Sequence, residues 1–209
     1  MAKKRDAKLT KIKIISTAMV LFAKDGINGV SVDEIAQKAN INKAMIYYYF
    51  KNKSKLYEIT VSYLLDEICN SISNEIKDLP TAQERLKTFI FTFALFAKNN
   101  PHLSSLMLAE LSVGGKHLPK DMFAGLKKIF TLLNDILKQG VKEKQFEQPI
   151  PIVIHFMITG TINLFLTTKD LRKNVHNEFG DDICGDCEID TISQYIFQKV
   201  LKMIQKDKI

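Results

Sequence analysis

An all-α fold is what this sequence predicts, with a small basic unit of three helices at the N-terminus and a larger helical body behind it. Three observations carry that prediction. Apolar residues recur three and four apart through almost the whole chain, whereas the alternation of a half-buried strand is nearly absent. Turn-forming residues (Gly26, Gly29, Asn40, Asn42, Asn52, Pro80) fall between those runs and cut residues 1–80 into separate pieces. Charge is uneven: residues 1–56 hold twelve cations and four anions, hence +8 against a formal net charge of +7, which leaves −1 for residues 57–209. A basic head on a near-neutral body is the electrostatic footprint of a nucleic-acid binder, or else a lysine-rich surface kept for solubility. The 209 residues divide on this basis into a unit at 1–56 and a body at 57–209. With 46% apolar and 25% charged residues, the composition excludes a disordered or fibrous chain.

The first helix is expected from about Leu9 to Lys24, with Ile12, Ile15, Met19 and Phe22 on one stripe and Gly26 and Gly29 ending it. The second begins at Ser31-Val32-Asp33-Glu34, which reads as a capping box. The Ser31 hydroxyl accepts the Glu34 backbone N–H, and the Glu34 carboxylate reaches back. This helix ends near Ala39. Asn40-Ile41-Asn42 forms a turn: Asn40 tolerates a left-handed backbone, Ile41 plugs the angle between helices, and Asn42 caps the third. That third helix spans Lys43 to Tyr49, and Asn52 caps a fourth that reaches about Lys77. After the turn at Asp78-Leu79-Pro80, helices are expected at 81–98, 101–112, 119–140, 149–168 and 190–206. The polar, acidic stretch 169–189 reads as a connection, longer than the usual ~4–6 residues.

Two short helices joined by a three-residue turn, behind a longer first helix, form a helix-turn-helix. That arrangement sets the second short helix into the major groove of double-stranded DNA. The residues of that helix suit the place. Lys43 donates to base edges or phosphates, Ala44 allows close approach, and Met45 suits a thymine methyl. Ile46, Tyr49 and Phe50 share one face and are expected to be buried, which leaves the Tyr47 and Tyr48 hydroxyls for phosphate oxygens. Lys53 and Ser31 stand at helix N-termini, where free N–H groups already favour a phosphate.

The stretch GINGVSVDEIAQKANINKAMIYYYFKNKSKLY, with Ala18, Leu21 and Phe22 before it, resembles the helix-turn-helix of the TetR family over about residues 9–57. The resemblance implies DNA contacts at Ser31, Lys43, Tyr47, Tyr48 and Lys53, a helical regulatory body with a small-molecule pocket, and a homodimer on a palindromic operator. Asn40, Asn42, Ala44 and Met45 depart from the family's more usual Gly, Ser, Gly and Thr. The departures bear on the operator sequence rather than on the fold.

In the body, the run from Pro149 to Thr168 carries no Lys, Arg, Asp or Glu. At ~20 residues it is long enough to span a bilayer. His155 and Asn163 inside it, and missing aromatic belts, favour a helix buried between the body and a partner. The 190–206 helix carries Ile192, Ile196, Val200 and Met203 on one stripe, and a homodimer through 149–168 and 190–206 would bury both helices. Candidate pocket residues are Phe93, Phe96, Met107, Phe123, Phe130 and His155, each otherwise ordinary core. They point to a small, mainly apolar effector.

Three cysteines (Cys69, Cys184, Cys187) fit a reducing cytosol, hence a cytoplasmic location. The lone C-x-x-C at Cys184 and Cys187, with His176 and Glu178 upstream, reads as a solvated loop rather than as a metal or redox site. No HExxH, phosphate loop or G-x-S-x-G is present, so neither an enzyme nor a cofactor is expected. Two functions remain: a ligand-responsive repressor released by its effector, or an architectural DNA binder with no ligand.

Overall fold

The structure is a computed structural model that describes residues 2–115, 120–179 and 187–206. Those residues form α1 (Ala2–Gly29), α2 (Val32–Lys38), α3 (Lys43–Phe50), α4 (Lys53–Ile76), α5 (Ala82–Asn99), α6 (Pro101–Ser112), α7 (Lys120–Lys142), α8 (Pro151–Thr167), α9 (Lys169–Phe179) and α10 (Ile189–Ile204). A lone antiparallel bridge joins Phe146 to Gln205. The all-α expectation holds.

The head is assembled by local chemistry. α1 starts earlier than expected, at Ala2, because the stretch before Leu9 is made of good helix formers with no Gly or Pro. Gly26 breaks the helix where expected, at φ 68°, a left-handed conformation that costs glycine nothing. The face that α1 buries is Ile14, Ile15, Ala18, Met19, Leu21 and Phe22, while Ile12 stays exposed. Ser31 caps α2, its Oγ accepting the Glu34 N–H at 3.1 Å. The reciprocal half of the box is absent among the described bonds, because the Glu34 carboxylate turns to Lys38 at 3.5 Å. Asn40 takes the turn at φ 48°. Asn42 Oδ1 accepts the Ala44 N–H, and Asn52 Oδ1 that of Lys55, each at 2.8 Å, so two neighbouring helices begin on asparagine caps.

α4 is the spine of the molecule. Its first turns pack on α1 and α3, and the rest lies against α5 and α7. α6 bridges α1 to α8, and α10 packs on α5. One continuous apolar core therefore runs from Phe22 and Phe50 in the head to Ile158 and Val200 at the far end.

Three expectations change. The connection at 169–189 contains α9, whose Asp170 and His176 suit the two ends of its dipole. The Arg172 guanidinium stacks 3.6 Å from the Phe165 ring centre and donates to the Phe165 carbonyl. The α10 stripe is divided: Ile196 and Val200 are buried within this chain and Ile192 is half-buried, so only Met203 of that row is exposed. The chain's own α5 covers the others. Cys187 is disulfide-bonded, unlike a chain of reduced thiols, while Cys184 lies outside the described residues.

Among the described residues no cluster of three or more His, Cys, Asp and Glu could hold a metal ion. No single helix there is long and apolar enough to cross a membrane. α8 and α9 pass such a test only as a pair bent by 75°.

Candidate nucleic-acid interface and effector cavity

α3 has two faces. Ile46 and Phe50 are fully buried and Tyr49 is half-buried, as helical spacing predicts. Lys43, Ala44, Tyr47 and Tyr48 are exposed, Tyr48 by 78%, and Met45 is half-buried at the margin. The Tyr48 ring meets only the edge of Tyr49, with centres 5.1 Å apart among the described ring contacts, and leaves most of its surface to water.

Lys43 Nζ donates to Asp33 Oδ2 at 2.7 Å and lies 6.0 Å from the Tyr47 ring centre. The hydrogen bond to Asp33 raises the Lys43 pKa, so the ammonium stays charged. Asp33 thus aims Lys43 across the turn. Sequence spacing alone does not reveal this, because the partners are ten residues apart. Lys53 is more than a surface cation: its Nζ donates to the Val30 carbonyl at 2.9 Å and ties the start of α4 to the loop before α2. An ammonium keeps two further protons for a phosphate after such a bond. The Ser31 hydroxyl spends an oxygen lone pair on its cap and keeps its proton.

A second site lies in the body. A cavity of about 70 Å³ opens between α4, α5, α6, α7 and α8. It is large enough to hold water and too small for a drug-sized molecule unless its walls part. Of the residues named from sequence, Phe93, Phe96, Met107 and His155 line it. Phe130 stands behind the lining, its ring meeting the His155 ring edge-on with centres 5.7 Å apart. Phe123 is 56% exposed and takes no part in the lining. Its position on the outer side of α7 follows from the register that buries Ile129, Leu133 and Ile136.

One polar contact joins the two sites. Glu110 of α6 lines the cavity, yet is only 6% exposed. Tyr57 Oη, one turn into α4, donates to Glu110 Oε1 at 2.7 Å. Burial, then this bond, push the Tyr57 pKa far above the usual tyrosine range, so it remains a donor. The Tyr57 ring meets Phe22 of α1 edge-on at 5.2 Å. The cavity wall is therefore bonded to a residue of α4 that packs on the core of the head. Sequence reading missed both Tyr57 and Glu110.

Burial lowers the His155 pKa, so the ring is neutral in the folded protein near pH 7. With the folded pKa below the unfolded value, stability is fully present above about pH 6.5 and is lost as pH falls through and below that value. The melting temperature of the parent protein should fall more steeply below pH 6.5 than that of His155→Gln. Parallel curves would show that His155 does not sense burial.

The described outer faces of α8 and α10 carry exposed Val153, Phe156, Leu164, Tyr195 and Met203, with Phe156 exposed by 56%. The sequence-predicted dimer helices thus leave an apolar surface, on which α10 contributes Met203 of the expected stripe and Tyr195 rather than Ile196 and Val200.

Two family models match the chain. One, described as bacterial regulatory proteins, tetR family, matches residues 14–59. The other, described as YsiA-like protein, C-terminal region, matches residues 62–177. The probable HTH-type transcriptional regulator YttP of Bacillus subtilis (strain 168) is 30% identical over 152 residues, 71% of this chain and 72% of that protein. The biofilm operon icaADBC HTH-type negative transcriptional regulator IcaR of Staphylococcus aureus (strain Newman) is 36% identical over 170 residues, 81% of this chain and 87% of that protein. Among solved structures, the transcriptional regulator FadR from Bacillus subtilis in complex with stearoyl-CoA superposes with a TM-score of 0.73. That match covers 91% of this chain and 97% of that one at 22% identity, a likeness of fold.

Proposed function

Because this chain belongs to the TetR family of bacterial transcriptional regulators, we propose that it is a ligand-responsive repressor. In this reading residues 1–56 form the head and 57–209 the body. A homodimer binds a palindromic operator and is released by a small, mainly apolar effector. Repression is supported by the negative regulator IcaR at 36% identity, and a small, mainly apolar effector by the narrow cavity lined largely by Leu, Ile, Phe and Met side chains. α3 and its exposed Lys43, Tyr47 and Tyr48 supply the reading surface, with Ser31 and Lys53 on phosphates.

The observation that carries the ligand-responsive part is the buried bond from Tyr57 to Glu110. A ligand larger than the present cavity must push α6 away from α8. Glu110 moves with α6, and the start of α4, with the head attached, follows through Tyr57. A ligand shifts that equilibrium only by its differential affinity for the two forms, and the narrowness of the cavity provides the difference. The exposed apolar faces of α8 and α10 support the dimer, since a monomer seldom leaves a wide apolar patch in water. Phe156→Glu should give a monomer in sedimentation. A persistent dimer would move the interface elsewhere.

Selection of binding sites from a random duplex library at about 0.15 M salt tests the reading, because non-specific phosphate binding is suppressed there. A short palindrome is expected. Recovery of no motif, with binding that only tracks salt, would favour an architectural DNA binder instead. The cavity and its bond to the head speak against that second reading.

A further inference from the structure

We propose that the cavity takes an uncharged molecule that is polar along one edge: a compact apolar body whose hydroxyl, carbonyl or amide groups lie against α8. This deepens the effector-responsive reading and rests on it.

His155, Thr159 and Asn163 all line the cavity. They are spaced four residues apart on α8, so they form one row with steps of about 6 Å along the helix. The opposite walls are apolar: Leu65 and Ile68 from α4, Phe93 and Phe96 from α5, Leu126 and Ile129 from α7. Apart from Ser104 and Glu110 of α6, the space therefore has one polar edge and an apolar remainder. A purely hydrocarbon ligand would leave that edge unanswered, which is costly in a dry site.

Each member of the edge has bonding capacity left. Ser104 of α6 donates to Asn163 Oδ1 at 2.8 Å, which leaves Asn163 Nδ2 as a donor and Ser104 Oγ as an acceptor. The Thr159 hydroxyl donates to the His155 carbonyl at 2.9 Å, and its oxygen can still accept. His155 Nδ1 is buried with no hydrogen-bond partner. A neutral imidazole offers one donor and one acceptor. The edge thus presents both kinds of group, which suits hydroxyl, carbonyl or amide functions. Glu110 supplies the carboxylate of the lining, and the described lining has no Lys or Arg. Among the described lining residues, a carboxylate or phosphate on the ligand would meet the Glu110 carboxylate and no Lys or Arg.

Calorimetric titration of the full-length protein, without DNA, tests this with three probes on one skeleton: naphthalene-2,6-diol, naphthalene and 6-hydroxy-2-naphthoate. The diol should bind about tenfold more tightly than naphthalene, as two neutral hydrogen bonds provide, and the naphthoate more weakly than the diol. Thr159→Val and Asn163→Leu should each weaken the diol about threefold and leave naphthalene unchanged. Ser104→Ala replaces Asn163→Leu if the latter fails to fold. Naphthalene binding as well as the diol, the naphthoate binding best, a preference that survives these substitutions, or no binding by any probe would each overturn the proposal. Operator release is measured separately. A diol that binds on the polar edge without releasing operator leaves this inference standing and refutes only the effector-responsive reading.

Discussion

Replacing Lys43 and Tyr48 together by alanine should abolish specific operator binding while leaving thermal stability unchanged. Tyr48 is 78% exposed, and Lys43 is held by a surface ion pair to Asp33 beside the exposed Tyr47 ring. Such positions change stability by no more than about 0.5 kcal/mol. On DNA the same two side chains are the most prominent polar groups of α3. Each good contact in the groove contributes about 1–3 kcal/mol, so the double variant should lose at least about thirtyfold in affinity. A gel-shift titration at several salt concentrations separates the roles. If Lys43 meets a phosphate, Lys43→Ala alone flattens the log–log salt dependence by about one unit and weakens all sequences alike. If it reads a base edge, the slope stays and discrimination at one operator position relaxes. Affinity within about tenfold of the parent for the double variant would remove α3 from the reading role.

The largest stability loss is expected far from the DNA, at Gly140. A Cβ placed there would lie 2.0 Å from the Phe146 ring. Phe146 is buried to 2% exposure, and the chain around it stitches the end of α7 to the end of α10. Gln145 and Phe146 N–H both donate to the Gly140 carbonyl, at 2.9 and 3.1 Å. Glu147 N–H reaches the Ile204 carbonyl at 2.8 Å, and Lys206 N–H the Gln145 carbonyl at 3.0 Å. Gly140→Ala must expel the ring, so it should cost about as much as Phe146→Ala, roughly 3–5 kcal/mol. At about 2–4 °C per kcal/mol for a chain of this size, the melting temperature should drop by roughly 6–20 °C. The two substitutions should not add. Once the ring is gone, so are the three atoms nearest the alanine Cβ, and alanine at 140 recovers up to about 1 kcal/mol of helix propensity. A melting temperature unchanged by Gly140→Ala alone would show that the ring has room to move aside.

Whether a feature could be read in the sequence depended on the range of the physics that makes it. Ser31, Asn42 and Asn52 act on N–H groups two or three residues ahead, and Asn40 sets its own φ, so each was readable in place. The two faces of α3 follow from helical spacing alone, and with them the exposure of Tyr47 and Tyr48. The order of those same residues carried the family resemblance. Packing between distant segments decided the rest. Asp33 aims Lys43, Lys53 holds Val30, and Tyr57 meets Glu110 across 53 residues. Phe93 and Phe96 line the cavity while Phe123 faces solvent, although all three stand on helices with apolar stripes. Ile196 and Val200 are buried within their own chain, where α10 packs chiefly on α5. An apolar stripe establishes that a helix buries one face. Which neighbour covers that face depends on how the other helices stack around α4, and no local signal encodes that stacking.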